Sequence, residues 1–295
     1  NTCNRLSCIS LTPEEIAGLK ESVRQWVGGA PTAEVQIISD GKELNEWVTA
    51  LYRKRDKKLQ YKPASAKYPL VHNASQPYSA KQGLDGKHIA LWGSHGIYYV
   101  QAYRMWKWQR ARLWTTIEDL YTSSYTMPFL VPMLENAGAV VVQPRERDTQ
   151  VIEQVVDDSE ATISGQWAIG EGAGWATPTT HLLEGDNPFA NGRYTAEVKC
   201  DEKTRGTITY TPSLPAGDYA VYVSYKTLPN STTKAQYTVV HKGQKTTFSV
   251  NQKMGGGTWV YLGTFAFDGN KENNYVSVAA VANGKEIVTT DAVKF

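Results

Sequence analysis

His95 and Glu118 are the residues whose types and surroundings best suit metal chemistry. An imidazole nitrogen and a carboxylate both suit Zn²⁺, and a catalytic zinc needs three protein ligands plus one open position for water. Water held there loses a proton near neutral pH and attacks a polarised carbonyl. A second carboxylate then commonly serves as general base. No third ligand and no base stand out. Both residues also have plainer readings. Gly93-Ser-His-Gly96 makes a tight turn, and Thr115-Thr-Ile-Glu118 fits a helix capping box.

Between the two residues lies an aromatic and cationic stretch. Tyr98, Tyr99, Tyr103, Trp106, Trp108 and Trp114 interleave with Arg104, Lys107, Arg110 and Arg112. Two readings stand: a small helix packing its rings on a core, or a substrate wall. In the second, rings stack on sugar faces and cations meet carboxylates. Tyr98, Trp106, Trp108, Arg110 and Trp114 are the candidate substrate contacts.

The elements around them are strand, loop, helix, strand. His88-Ile-Ala-Leu-Trp92 reads as a buried strand from its apolar run. A helix from Thr115 places Ile117, Leu120, Ser124, Met127, Val131 and Leu134 on one face. Pro128 and Pro132 should kink it, and Gly138 should end it. Ala139-Val-Val-Val142 is the second strand, leading to Arg145-Glu-Arg-Asp148. His95 then falls past the end of the first strand and Glu118 at the helix start, where α/β folds present side chains to ligands.

Residues 1–82 read as a lead-in. Thr12-Pro13-Glu14-Glu15 starts a helix with Ile16, Leu19, Val23 and Trp26 on one face. Val35 to Ile38 is a short strand, Glu43 to Arg53 a second helix, and Arg53 to Lys58 a basic solvated run. Residues 61–85 read as an extended surface segment. From Val155 the composition shifts to Thr, Val, Tyr and Gly in short alternating runs. Turn signals separate them, including Pro215-Ala-Gly217, Lys242-Gly243 and Asn283-Gly284. Such spacing predicts an antiparallel, jelly-roll-like sandwich.

The 295 residues suffice for two ordinary domains, and the net charge of +2 points to neither nucleic acid nor an anionic membrane. No apolar run approaches the ~18 residues of a membrane helix. Cys3 and Cys8 are spaced to pair, leaving Cys200 alone, and no Cys-x-x-Cys occurs. Asn73-Ala-Ser75 and Asn230-Ser-Thr232 are glycosylation sequons. Gly-x-Ser-x-Gly, P-loop and Gly-x-Gly-x-x-Gly motifs are all missing.

Two resemblances follow from these stretches. Residues 83–153, through Ser94-His95-Gly96, Glu118 and Arg145-Glu-Arg-Asp148, resemble the first half of the zinc-dependent N-acetylmuramoyl-L-alanine amidases. That resemblance implies an α/β half-domain, Zn²⁺ on His95 and Glu118, and hydrolysis of the peptidoglycan amide bond. The family takes its second zinc His and its base Glu from a second half. No such half is found in these residues, so an incomplete site is expected. Residues 154–295 resemble the golvesin C-terminal-like domain of bacterial proteins often labelled xanthan lyase. The carriers are Leu214-Pro-Ala-Gly-Asp-Tyr-Ala-Val-Tyr-Val-Ser-Tyr225, Gly256-Gly-Thr-Trp-Val-Tyr-Leu-Gly-Thr-Phe265 and Asp291-Ala-Val-Lys-Phe295. The leading expectation is a cell-wall hydrolase that is secreted, periplasmic or at the cell surface, acting on peptidoglycan or another glycan. The alternatives are a non-catalytic glycan-binding protein using the sandwich and aromatic loop, and a polysaccharide lyase, for which no uronate-cleaving constellation stands out.

Overall fold

The computed structural model describes residues 6, 11–28, 34–39, 41–48, 52, 68–76, 83–93, 95–144, 147, 151–180, 182–183, 186–198, 205–281 and 283–295. Cys3, Cys8, Cys200, Ser94, Arg145, Asp148, His181 and the basic run at 53–58 lie outside the described residues. The chain forms two units, residues 1–65 with 182–186, and residues 66–181 with 187–295.

In the first unit, α1 (Pro13–Trp26) starts as its sequence requires. Thr12 Oγ1 accepts the Glu15 amide while the Glu15 carboxylate accepts the Thr12 amide. Its expected inner face is corrected: Ile16 is buried, but Leu19, Val23 and Trp26 are exposed. The hairpin β1 (Ile38–Ser39) and β2 (Lys42–Glu43) leads into α2 (Leu44–Trp47), a single turn in place of the expected long helix. Ile16, Ile37, Leu44 and Val48 form the small core of this unit.

The second unit is mostly β. Its sandwich uses β10 (Val155–Asp157), β11 (Thr162–Ser164), β12 (Trp167–Ile169), β13 (Thr195–Glu197), β14 (Thr207–Tyr210), β15 (Gly217–Val223), β16 (Ala235–His241), β17 (Gln244–Val250), β18 (Val260–Phe267), β19 (Tyr275–Ala279), β20 (Thr289–Thr290) and β21 (Ala292–Lys294). One sheet runs β11-β14-β19-β16-β17 and ends on β3 (Val71–Asn73), and a second runs β10-β21-β15-β18. Their pairings are antiparallel. Inward residues of both feed one core, with Ile208, Tyr237, Phe248 and Val278 from the first and Val221, Val223, Leu262 and Val293 from the second. β14 and β19 alternate between buried and half-buried positions, the period-2 pattern of a strand with one face inward. Lys242 and Gly243 both take positive φ and close the two-residue β16–β17 hairpin.

β3 joins this sheet from outside the stretch that the sequence assigns to the sandwich. Residues 71–73 lie in the stretch read as an extended lead-in, yet they add the edge strand beside β17. The reason is backbone satisfaction: the β17 edge gains partners, and the Asn251 and Ala74 amides donate to Leu70 and Thr247. Asn73 therefore sits in a sheet, where its Oδ1 accepts the Ser75 amide.

Residues 88–142 form a strand–helix–strand unit. β4 (His88–Ala90) and β9 (Val140–Val142) pair in parallel, in register His88 with Val140 through Ala90 with Val142. Of the expected α/β half-domain, this two-stranded sheet is what the described residues contain. β4 is not the buried strand expected: His88 and Ala90 are exposed, as is Trp92, and β9 is its one strand neighbour among the described residues. The crossover helix runs as α3 (Glu118–Tyr125), a π-turn (Thr126–Leu130) and α4 (Val131–Asn136). Pro128 has no amide hydrogen for the regular ladder, and the π-turn absorbs that defect. Arg147 fastens the far end, with a two-pronged pair to Glu135 at 2.7 and 2.8 Å and its guanidinium 3.7 Å from the centre of the Tyr261 ring on β18.

Gly138 ends α4 as expected. Its φ is +97°, and a Cβ there would lie 2.9 Å from the Asp85 Cα. Gly138→Ala should therefore cost about 1–3 kcal/mol from the left-handed backbone and the clash together. A lower denaturant midpoint would show it, and an unchanged midpoint would contradict the close approach.

A polar cluster under an aromatic hairpin

α3 turns a polar stripe inward. Asp119 and Thr126 are buried, and Thr122 and Ser123 are half-buried between them. Thr122 Oγ1 donates to the Gly93 carbonyl at 3.0 Å, docking the helix on the turn before His95. Leu120, Tyr121 and Tyr125 face outward instead. This reverses the expected inner face at Leu120, because a turn of backbone carbonyls and an imidazole asks for polar partners. The capping box is not formed either. The helix begins at Glu118 with Ile117 as N-cap and no side-chain cap.

His95 and Glu118 occupy the expected places, one past β4 and the other at the helix start, but they do not meet. The Asp119 carboxylate, 1% exposed, lies beneath His95, with Oδ1 3.6 Å from Nδ1. Oδ2 accepts the Arg110 amide at 3.1 Å, and Oδ1 is buried without a hydrogen-bond partner. The Arg110 guanidinium lies on the imidazole, with Nε 3.1 Å from Nδ1 and Nη2 2.9 Å from Nε2. A neutral imidazole accepts at one nitrogen only, so the second contact is a close approach without a matching acceptor. Glu118 is exposed and borders a shallow depression with Leu113, Leu120 and Tyr121. Among the described residues no three His, Cys, Asp or Glu side chains gather to hold a metal. The arrangement thus does not fit the zinc set that the resemblance implies: an arginine cation stands on the imidazole, and the neighbouring carboxylate is Asp119.

The aromatic stretch forms a β-hairpin, neither a helix nor an irregular loop. β5 (Ile97–Val100) pairs with β6 (Met105–Trp108), matching Ile97 with Trp108, Tyr98 with Lys107 and Tyr99 with Trp106. Alternation puts Ile97, Tyr99, Trp106 and Trp108 on one face and Tyr98, Val100, Met105 and Lys107 on the other. Tyr99 and Trp106 meet edge to face at 5.5 Å. Trp106 is 53% exposed and Trp108 39%. The candidate substrate contacts are therefore divided: Trp106 and Trp108 share a face, Tyr98 lies on the opposite one, and Arg110 is turned to His95. Trp114 is 95% exposed, at positive φ in the turn between β7 (Arg112–Leu113) and β8 (Thr116–Ile117). Tyr99 joins the platform although it is not among the sequence candidates; the period-2 spacing of 97, 99, 106 and 108 is its signal.

A larger concavity, about 510 Å³, lies between β9 and the sandwich and is lined by Val140, Val142, Gln143, Tyr222, Trp259 and Tyr261 among others. Neither His95 nor the hairpin lines it.

Inside the sandwich, two carboxylates are buried that sequence reasoning does not single out. Both Asp291 oxygens accept the Trp175 amide, at 3.0 and 2.9 Å. Burial pushes the Asp291 carboxyl up to about 7, against the opposing pull of the Trp175 amide. Asp158 accepts the Thr195 hydroxyl at 2.5 Å, and burial pushes it up to about 6. His241, at the end of β16, is half-buried against Phe265.

Residues 152–295 match the family model of the Golvesin C-terminal domain. Xanthan lyase of Bacillus sp. (strain GL1) is 35% identical over 108 residues, covering 35% of this chain and 12% of that protein. The chain thus spans about an eighth of that relative's length. Among solved structures, Paenibacillus xanthan lyase is similar with a TM-score of 0.37 and 26% identity, over 48% of this chain and 12% of that one. A family 35 carbohydrate binding module from Clostridium thermocellum is similar with a TM-score of 0.31 and 15% identity, over 49% of this chain and 97% of that one.

Proposed function

We propose that this chain recognises an anionic polysaccharide outside the cytoplasm, stacking sugar rings on the Tyr99–Trp106–Trp108 face of the β5–β6 hairpin. The observation that carries the reading is that one exposed hairpin face gathers those rings. Aromatic faces take the apolar side of a sugar while leaving its hydroxyls in water. Arg104 and Arg112 lie beside the same hairpin and favour a carboxylated glycan. Arg110 is not counted with them, because its guanidinium is engaged on His95. The golvesin match and the xanthan lyase relative support a polysaccharide as the partner class and a secreted, periplasmic or surface location. Retardation of the chain by xanthan in affinity electrophoresis, or co-sedimentation with peptidoglycan sacculi, tests the reading. Free migration in the first together with no sedimentation in the second overturns it.

Peptidoglycan amide hydrolysis is the second reading. It is favoured by the parallel β4–β9 pair, which brings His95 and the start of α3 to the same end of the unit. Its test is the release of new amino termini from sacculi with zinc present; a rate unchanged by His95→Ala would remove it. A lyase would instead release unsaturated uronates that absorb in the ultraviolet.

A further inference from the structure

We propose that the cleft between β9 and the sandwich binds one uncharged sugar ring, with Gln143 as the group that fixes its orientation. The volume of about 510 Å³ is ordinary for a small-molecule pocket. Tyr222, Trp259 and Tyr261 supply aromatic walls, and Val140, Val142 and Val260 apolar ones. Such rings take the apolar face of a sugar. Gln143 belongs to the same lining, and its Nε2 is buried without a hydrogen-bond partner, although a buried donor ordinarily has one. A sugar hydroxyl is an acceptor able to supply that partner.

Each aromatic wall is held by contacts of its own, so little ordering is left for a ligand to impose. Trp259 packs on Trp175 and Phe189, with ring centres 4.9 and 5.2 Å away. Tyr222 and Tyr261 pack on each other at 5.2 Å. The Gly255-Gly-Gly257 loop before Trp259 is pinned at both ends. Tyr225 Oη donates to the Met254 carbonyl at 2.6 Å, and the Gly257 amide donates to the Tyr225 carbonyl at 2.9 Å. Gly255 lines the cleft at φ +74°, where a Cβ would lie 2.8 Å from Leu70 Cδ1. The Leu70 amide donates to His88 Nε2 at 2.8 Å, which ties β4 to the chain entering β3.

Charge selects the ligand class. Arg147 carries the one permanent charge among the lining residues, and the Glu135 carboxylate already matches it. A carboxylate entering the cleft would lose water without gaining a cation of its own. The cleft therefore differs from the hairpin, whose neighbouring cations suit an anionic chain. The choice of a sugar over another uncharged ring rests on the polysaccharide reading, but the site itself does not depend on the hairpin.

The probes are the methyl glycosides of glucose, mannose, galactose and N-acetylglucosamine, titrated against the whole chain by NMR. At least one should bind, and methyl glucuronide should bind no more tightly than methyl glucoside. Gln143→Leu should weaken that binding about tenfold, the effect of one lost hydrogen bond in a buried site. The same variant should melt no lower than the unaltered chain, because it removes a buried donor that has no partner in the free protein. A glutamine with a purely structural role would show the reverse: a lower melting temperature and unchanged binding. The Trp106→Ala/Trp108→Ala variant should bind the glycosides as the unaltered chain does. Failure of the hairpin reading shows separately, as xanthan retardation that this double variant leaves unchanged. Binding of none of the four glycosides overturns the proposal, as do equal binding after Gln143→Leu, tighter binding of the glucuronide, and loss of glycoside binding in the hairpin variant.

Discussion

Asp291→Ala is expected to destabilise the sandwich by about 2–3 kcal/mol at pH 5, through the buried Trp175 amide left without its acceptor. The cost should shrink toward pH 8, and the sign follows from the raised carboxyls. A carboxyl near 7 in the folded chain, against an ordinary 3.8, holds its proton more tightly folded than unfolded. Its favourable contribution is complete below about 4 and is lost as pH rises through 6–7. Asp158, raised to about 6, acts in the same direction. A tenfold difference in proton affinity between the folded and unfolded chain corresponds to about 1.4 kcal/mol, and mutual repulsion of the two charges keeps their effects from adding independently. The unaltered chain should therefore melt several degrees lower at pH 8 than at pH 5, and Asp291→Ala should flatten much of that slope. Thermal melts across this range check both statements; a melting temperature rising from pH 5 to 8 would contradict the first.

The second large effect concerns the hairpin. Replacing Trp106 and Trp108 together by alanine should weaken polysaccharide binding by about 2–4 kcal/mol, or roughly 30- to 700-fold, the scale of central aromatic anchors. Their exposure means that little folding energy depends on them. Tyr98→Ala is expected to change binding only about twofold, since its side chain lies on the other face and a peripheral contact contributes little. Affinity should also fall with added salt, because the cations beside the platform meet their anionic partner in water.

The sandwich is legible in the sequence because its strands alternate and its turns carry their own signals, as at Lys242-Gly243. The N-terminal helix start and the Gly138 stop are legible for the same local reason: a cap or a left-handed residue is written in a few neighbouring positions. β3 is not, because nothing within 71–73 reveals a partner at 248–250. The hairpin is obscured by composition. With aromatic or apolar residues on both faces and Lys107 on one, its period of two shows only once the pairing is known. α3 reads the wrong way round because apolar residues are expected to face inward, while the stripe Asp119, Thr122, Ser123 and Thr126 is the face that packs. The same inversion conceals Asp119 as the partner of His95.

The most direct test of the central reading is affinity electrophoresis through xanthan of three proteins: the unaltered chain, the Trp106→Ala/Trp108→Ala variant and Tyr98→Ala. The account predicts retardation of the first and third and near-free migration of the second. Equal retardation of all three, with the double variant folded by circular dichroism, would place recognition elsewhere and contradict it.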